Sequence, residues 1–335
     1  MAGSTRESAT ADDLIVDPDI APQRVSDGGA LGPATATVLG KPAAGVSPWQ
    51  EAWRRFKRHR LAYWSLWVLA LLALAVLLGP LAYKVGINDV DFKARLASPG
   101  GSHPFGTDDL GRDLLARMLY GGRISLAVGL AAMLMALTVG VLVGALAGMA
   151  RGWVDAALMW VTDLFLSLPQ LPVLLLLIFL FREPLKQAFG LEAGIFLLIV
   201  LVIGGFRWMP VARLVRAQFF SLREKEFVEA ARALGASTPR QVVRHILPNS
   251  LGPVIVAATI DVAAAIIAES TLSFLGLGFP PDIPTWGRIL YDSRDYMDLA
   301  MHWALFPGLA IFVTVLTINF IGDGLRDALD PRRVL

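Results

Sequence analysis

The chain has 335 residues, of which 55% are apolar and 17% are charged, and its mean hydropathy is +0.58. This composition excludes a soluble globular protein and predicts an integral membrane protein. The lack of cysteine excludes disulfides, cysteine-ligated zinc, iron–sulfur clusters and thiol nucleophiles, and the net charge of +2 leaves the placement of the 30 basic and 28 acidic residues as the informative feature.

The first segment is polar. Residues 1–47 are rich in Ala, Gly, Ser, Pro and Asp and lack the charged-then-apolar opening of a signal peptide, which predicts a disordered cytoplasmic tail. Ser47 begins a capping-box pattern with Pro48 at the first helical position, so a helix is expected over 48–60. Its aromatic residues recur at helical spacing between basic ones. This pattern suits an amphipathic helix at the inner membrane surface, although the basic residues alone would also fix the topology of the next span.

Six apolar stretches are each close to the ~20 residues that a helix needs to cross a bilayer. They run approximately over residues 61–83, 124–149, 153–181, 191–206, 250–275 and 301–321. Pro169 and Pro172 predict a kink in the third. Basic residues in short loops stay in the cytoplasm, and an inside N-terminus places 20 of the 30 there, against six in the outer loop 84–123. Both termini are therefore expected on the cytoplasmic side.

The segment between the fourth and fifth spans, residues 207–248, is too long to be a simple connection. Capping-box patterns begin at Ser221 and Thr238, and Gly235 suits the position just after a helix end, which predicts two helices with a sharp break between them. Pro248 limits the second helix. One face of the first helix is apolar and carries alanines that permit close approach: Phe227, Ala230, Ala231 and Leu234. This face either docks a partner or packs on the protein's own helix ends.

A spaced motif occupies the same segment. It consists of a Glu-Ala-Ala triplet, a glycine after three further residues and a Leu-Pro pair after eleven more: Glu229, Ala230, Ala231, Gly235, Leu247 and Pro248. The motif resembles the EAA motif of ABC importer permeases, which has Ile where this chain has His245 with Ile246 beside it. Residues 103–113, 120–126 and 269–278 further resemble the C-type permeases of the dipeptide, oligopeptide and nickel branch.

The resemblance implies an all-α membrane protein of the MetI-like ABC importer permease fold, with six transmembrane helices and a helical cytoplasmic coupling loop. It implies a multi-pass subunit of the bacterial inner membrane that pairs with a second, homologous permease, sits on two cytoplasmic ATPase subunits and receives cargo from an extracytoplasmic binding protein. The helix around Glu229 would then dock in a groove of one ATPase. No lysine here completes a P-loop, so no enzymatic activity is expected in this chain. ATP and Mg²⁺ are expected in the partner subunits.

Three acids fall within predicted spans: Asp163, Asp261 and Glu269. An ionised carboxylate there costs several kcal/mol unless it is paired, hydrated or protonated, which makes each a candidate for lining a translocation path. Asp261 and Glu269 are eight residues apart and share roughly one helix face, as a proton relay in an ion-gradient-driven secondary transporter would require. The alternative for Glu269 is a helix-end carboxylate bonded to hydroxyl groups of residues 270–273. The equivalent alternative holds for Asp163, which is close to the inner end of its span.

Two outer segments are candidate contacts for the binding protein. Residues 107–120 have the pattern of an amphipathic helix lying along the outer surface. The loop 278–288 is stiffened by three prolines and is expected to expose Trp286 and Arg288 beside Asp292, with simple capping of helix ends as the alternative.

The sequence leaves the cargo open between two classes, peptides and nickel or a metal chelate. His and Cys are the side chains that nickel would most readily use, and the chain has four histidines, without metal-site spacing, and no cysteine. Peptides, either dipeptides or oligopeptides, are therefore the favoured cargo. Neither a metal site nor a nucleic-acid partner is predicted.

Overall fold

The computed structural model describes residues 48–150 and 152–330, and the predicted tail at 1–47 lies outside them. Twelve α-helices occupy the described part: α1 Pro48–Arg58, α2 Arg60–Ala82, α3 Leu114–Met149, α4 Trp153–Ser167, α5 Gln170–Phe189, α6 Leu191–Gly205, α7 Trp208–Leu222, α8 Glu226–Ala233, α9 Thr238–Gln241, α10 Leu247–Phe274, α11 Trp286–Ser293 and α12 Met301–Leu329. A π-helical turn, Val242–Ile246, joins α9 to α10. Among the described residues, β-type pairing is limited to one isolated bridge between Thr107 and Asp113.

Within the part of the chain that the structure describes, four helical runs are long and apolar enough to cross a membrane by themselves: α2, α3, the continuous run Thr238–Phe274, and α12. Two further runs pass only as bent pairs, with α4 and α5 at 88° and α6 and α7 at 43°. Counting each pair as one span gives six spans, the predicted number. The fourth then extends through α7 to Leu222, into the segment predicted as part of the coupling loop. The third span is broken at Leu168 and Pro169, which is a sharper change of direction than the predicted kink.

The amphipathic helix α1 forms as predicted but ends two residues earlier. Its aromatic side chains do not share one environment: Phe56 is buried beside Ala62 of α2 and Ala328 of α12, while Trp49 and Trp53 are exposed. The buried aromatic ring therefore fixes α1 to the protein, and the tryptophans remain available to the membrane interface.

The central helix of the bundle is α3, which packs against α2, α6, α7 and α10. Its contact with α7 depends on glycines one helical turn apart. An added Cβ would lie 2.6 Å from Val211 at Gly140 and 2.5 Å from the Ala212 carbonyl oxygen at Gly144. Because no side chain separates the two backbones, the helices approach closely, as small residues at four-residue spacing permit in membrane helices.

The outer segment before α3 differs from the prediction. Residues 107–113 are not helical, and α3 begins at Leu114 and continues without a break into the span. The Asp113 carboxylate accepts a hydrogen bond from the Ala116 N–H at 2.8 Å, which starts the helix there. The predicted surface helix over 107–120 is therefore wrong. Its C-terminal part is the first two turns of the span itself.

Candidate functional site

The short helix α8 stands between two membrane-spanning runs and ends abruptly. Gly235 has φ = +83°, and its N–H donates to the Arg232 carbonyl at 2.9 Å, while the Ala236 N–H donates to the Ala231 carbonyl at 3.0 Å. These two bonds form a complete Schellman motif, in which a left-handed residue satisfies the last carbonyls of the helix. The predicted break at Gly235 is confirmed.

The start of α8 differs from the prediction. Ser221 lies in the last turn of α7 instead of capping α8, whose N-cap is Lys225. The capping box predicted at Thr238 is also displaced, because the N-cap of α9 is Ser237 and the Ser237 side chain makes no capping bond. Gln241 instead donates to the Ala236 carbonyl at 2.7 Å. The predicted capping side chains are therefore wrong, whereas the presence of two helices with a break at Gly235 between them is confirmed.

The predicted apolar face of α8 is divided between the core and the surface. Val228 is fully buried in a cluster with Val215 and Phe219 of α7, and Ala231 turns towards the same side. Phe227 is 42% and Leu234 is 89% exposed. The exposed surface, formed by Phe227, Glu229, Ala230 and Leu234, is called the α8 surface below. The described residues thus leave both of its large apolar side chains, Phe227 and Leu234, exposed.

The second helix of the segment continues into the membrane. The residues Leu247 and Pro248 open α10, and Thr238–Phe274 is one continuous helical run. The prediction that Pro248 limits the second helix is therefore wrong. The π-turn lets the Leu247 N–H bond to the Val242 carbonyl, one residue further back than in an α-helix, and such turns absorb local irregularities. Ile246 is fully buried beside Val228, so the apolar residue next to His245 fills the packed position.

The helix α7 connects the α8 surface to the rest of the bundle. Arg223, at the C-terminal end of α7, donates to the Gly148 carbonyl of α3 at 2.8 Å and stacks on Phe220 at 3.9 Å. Together with the glycine contacts, this bond fixes α7 to α3 as one unit. Sequence reasoning missed these glycines, although the Gly140, Gly144 and Gly148 spacing was a readable signal.

Asp261, a path candidate, is engaged inside the protein. Its Oδ1 accepts bonds from Arg207 Nε at 3.1 Å and Nη2 at 2.6 Å, and the Asp261 side chain is 10% exposed. Oδ2 is buried without a hydrogen-bond partner among the described residues. The ion pair joins α10 to the break between α6 and α7.

Glu269 is fully buried in a cage of hydroxyl groups. Ser273 donates to Oε1 at 2.8 Å and Ser125 of α3 donates to Oε2 at 3.3 Å. The Trp286 N–H in turn donates to Ser125 at 3.2 Å. The alternative interpretation, a carboxylate bonded to nearby hydroxyls, describes Glu269 better than a relay does. The partner on α3 was not foreseen, and Thr271 bonds to a backbone carbonyl instead.

Asp163 is the third path candidate and the most accessible. Arg213 Nη2 donates to its Oδ1 at 2.5 Å, and the side chains of both residues are more than half exposed. The three acids thus occupy three separate surroundings, and Asp261 and Glu269 do not form one relay.

The outer candidates are less exposed than predicted. Trp286 is 1% exposed and its indole N–H donates to the Met118 carbonyl at 3.1 Å, so its predicted exposure is wrong. Arg288 and Asp292 pair at 2.7 Å on α11 and are mostly buried. Burial is the largest influence on Asp292 and raises its pKa, against the opposing effect of Arg288. The fully buried Arg117 connects α3 to the loop before α11 by donating to the Pro281 carbonyl at 3.0 Å.

Two family models match the sequence. The model described as "Binding-protein-dependent transport system inner membrane component" matches residues 140–334, and the model described as "N-terminal TM domain of oligopeptide transport permease C" matches residues 47–99. The two matches together include α1, α2, the C-terminal end of α3 from residue 140 and all the later helices.

Curated relatives extend over most of the chain. The oligopeptide transport system permease protein OppC of Escherichia coli is 46% identical over 86% of this chain and 92% of its own length. The dipeptide transport system permease protein DppC of Alkalihalophilus pseudofirmus is 39% identical over 86% of this chain and 91% of its own.

Among solved structures, one chain of the inward-facing MetNI methionine ABC transporter matches with a TM-score of 0.50. It is 22% identical, and the match covers 64% of this chain and 96% of that one. At this identity, the match supports the fold alone.

Proposed function

The chain belongs to the binding-protein-dependent transport system inner membrane components, in the branch of the oligopeptide permease C proteins, and from this premise we propose that it forms half of the translocation path of an ATP-driven peptide importer. It is a multi-pass inner membrane permease subunit with the MetI-like fold. The relatives are permease components, and the ion-gradient alternative finds no support among them.

The observation that carries the coupling part of the proposal is the α8 surface. A rigid helix of eight residues, stopped by Gly235 and fixed to α7 and α10 by a buried apolar cluster, leaves Phe227 and Leu234 exposed. A short helix held in this way transmits rigid-body movement to the spans it joins. Its apolar side chains suit a groove on a cytoplasmic ATPase subunit, with Glu229 at the rim of the contact.

The proposal requires partners. A second, homologous permease completes the path, two ATPase subunits bind ATP and Mg²⁺, and an extracytoplasmic binding protein delivers the cargo. The excess of basic residues in the inner segments supports cytoplasmic N- and C-termini, with the α8 surface on the same side as the ATPases.

Peptides are the proposed cargo, either dipeptides or oligopeptides. The curated relatives named above are described as oligopeptide and dipeptide permeases, which supports peptides over nickel or a metal chelate. The binding protein makes the first selection, and the permease provides the path.

Reconstitution tests this function directly. The complete complex in proteoliposomes, with its binding protein, should accumulate labelled short peptides when ATP is supplied, also after ionophores have collapsed every ion gradient. Uptake that stops with the gradient, or nickel uptake without peptide uptake, would contradict the proposal.

A charge reversal examines the α8 surface in the same system. Glu229→Lys should lower peptide-stimulated ATP hydrolysis, whereas the same change at another exposed acid, Glu183→Lys on α5, should leave it unchanged. Unchanged coupling in Glu229→Lys would show that this carboxylate has no role in docking.

A further inference from the structure

The helix α7 and the residue before it carry three arginines that pair with acids on other helices, and the pairs differ in access. Arg207–Asp261 and Arg216–Asp155 have acids with only 10% and 13% of the side chain exposed. In the pair Arg213–Asp163, the exposed fractions are 52% and 58%. The first two pairs are therefore largely buried ion pairs that connect helices. In the third, Arg213–Asp163, both side chains are accessible, and it is called the open pair below.

The surroundings of the open pair are apolar. Asp163 lies ten residues, or about 15 Å, along α4 from its start at Trp153. Neighbouring side chains on α4 are exposed and apolar, among them Trp160 and Leu164. Ionised groups facing lipid cost several kcal/mol, so a half-exposed ion pair in a span belongs to a face that meets water or protein.

We propose that Asp163 and Arg213 form a subsite in the translocation path that receives the charged ends of the peptide, the amine at Asp163 and the carboxylate at Arg213. The subsite rests on the proposed peptide-importer function and deepens it. Charge complementarity identifies this occupant: a peptide carries one free amine and one free carboxylate, and the open pair offers one partner for each. A guanidinium is well shaped for a carboxylate.

The pairing also gives the site a suitable strength. An exposed ion pair contributes only ~0–1 kcal/mol, so an arriving peptide end replaces one partner at little cost. When the peptide moves on, the two side chains pair again. A path needs binding that is favourable enough for entry and weak enough for release, and a self-neutralising pair meets both requirements.

Water access to the site can be measured because the chain contains no cysteine. In the complete complex, Asp163→Cys should react with a charged, membrane-impermeant thiol reagent, and an excess of peptide with binding protein should slow the reaction. The buried neighbour Thr162→Cys and the exposed α2 residue Leu71→Cys serve as controls and should react at least tenfold more slowly. If Asp163→Cys reacted with the reagent as slowly as Leu71→Cys does, the proposal would be overturned.

Transport of blocked peptides tests the assignment of each end. Each peptide is compared with its N-acetylated and C-amidated forms, at concentrations where the binding protein is saturated with either form. The wild-type complex should transport peptides with free ends faster, and blocking one end, which removes one charge-assisted contact, should lower the uptake rate about tenfold. Arg213→Gln should abolish the preference for a free carboxylate only, and Asp163→Asn the preference for a free amine only.

The pair Arg216–Asp155 provides the matched control, because Asp155→Asn weakens an ion pair between the same two helices and leaves both residues of the open pair in place. It should change the total uptake and leave both preferences as in the wild type. Wild-type preferences in both Arg213→Gln and Asp163→Asn would overturn the subsite while leaving the importer function intact. A wild-type complex that takes up no peptide contradicts the proposed function instead.

Discussion

Substitution of Gly235 tests whether the stop of α8 is needed for coupling. The residue has φ = +83°, and an added Cβ would meet no atom within 4 Å, so the whole penalty of a larger residue comes from the backbone. For a left-handed residue this penalty is about 1–2 kcal/mol, with β-branched Val at the upper end. Such an energy lowers the population of the native turn about 5- to 30-fold. Both bonds of the Schellman motif, from Gly235 and Ala236, would then be lost.

Gly235→Val should therefore assemble normally and lose most peptide-stimulated ATP hydrolysis, because the buried contact between Val228 and Ile246 is untouched. Asn tolerates the left-handed conformation, so Gly235→Asn should retain coupling close to the wild type. The measurement is the ratio of ATP hydrolysis with and without loaded binding protein in proteoliposomes, after co-purification has shown intact complexes. Wild-type coupling in Gly235→Val, or equal losses in both variants, would refute the argument.

Three further substitutions, the first with a control variant, test the packing and one ionisation. Gly144→Ala places a Cβ against a backbone oxygen of α7 and should destabilise the protein by about 1–3 kcal/mol, whereas Gly308→Ala, with open space around it, should leave the melting temperature in detergent unchanged. Trp286→Phe removes one buried hydrogen bond and should cost about 1 kcal/mol, and an unchanged melting temperature would contradict its burial. Burial, followed by Asp113, raises the pKa of Tyr83 to about 12. The stability that Tyr83→Phe loses, about 1 kcal/mol, should hence be constant from neutral pH to about pH 10 and diminish only above it, as chemical denaturation at several pH values will show.

The spans were predictable because their signal is local: about 20 apolar residues identify a span without knowledge of its neighbours. Their ends were less predictable. The helix α3 extends ten residues beyond the predicted start, to Leu114, because Asp113 caps it and the buried Arg117 donates to the Pro281 carbonyl of an outer loop. The 88° break at Pro169 was visible only as a proline signal, since the sequence does not encode the angle between two half-helices.

The α8 segment was also largely predictable, for a conformational reason. A glycine at a helix end can adopt the positive φ that stops the helix because it has no side chain, and Gly235 does so. The division of the apolar face was harder to foresee. Phe227, Ala230 and Leu234 are exposed while Ala231 is turned inward, because Val228, 100° around the helix from Phe227, sets the buried direction.

The intramembrane acids show where sequence reasoning ends. Asp163 and Asp261 are alike in sequence, since each is a lone carboxylate in an apolar stretch, and only the hydroxyl residues that follow Glu269 distinguish the third acid. Asp163 and Asp261 pair with arginines 50 and 54 residues away along the chain, on α7 and at the α6–α7 break. Glu269 bonds to Ser273 on its own helix and to Ser125 of α3, 144 residues away. Only the fold determines that Asp261 forms a buried ion pair, that Glu269 is surrounded by hydroxyl groups and that Asp163 is exposed. The candidate for contact with cargo is consequently Asp163, the acid whose partner leaves it exposed, and not the pair that shares a helix face.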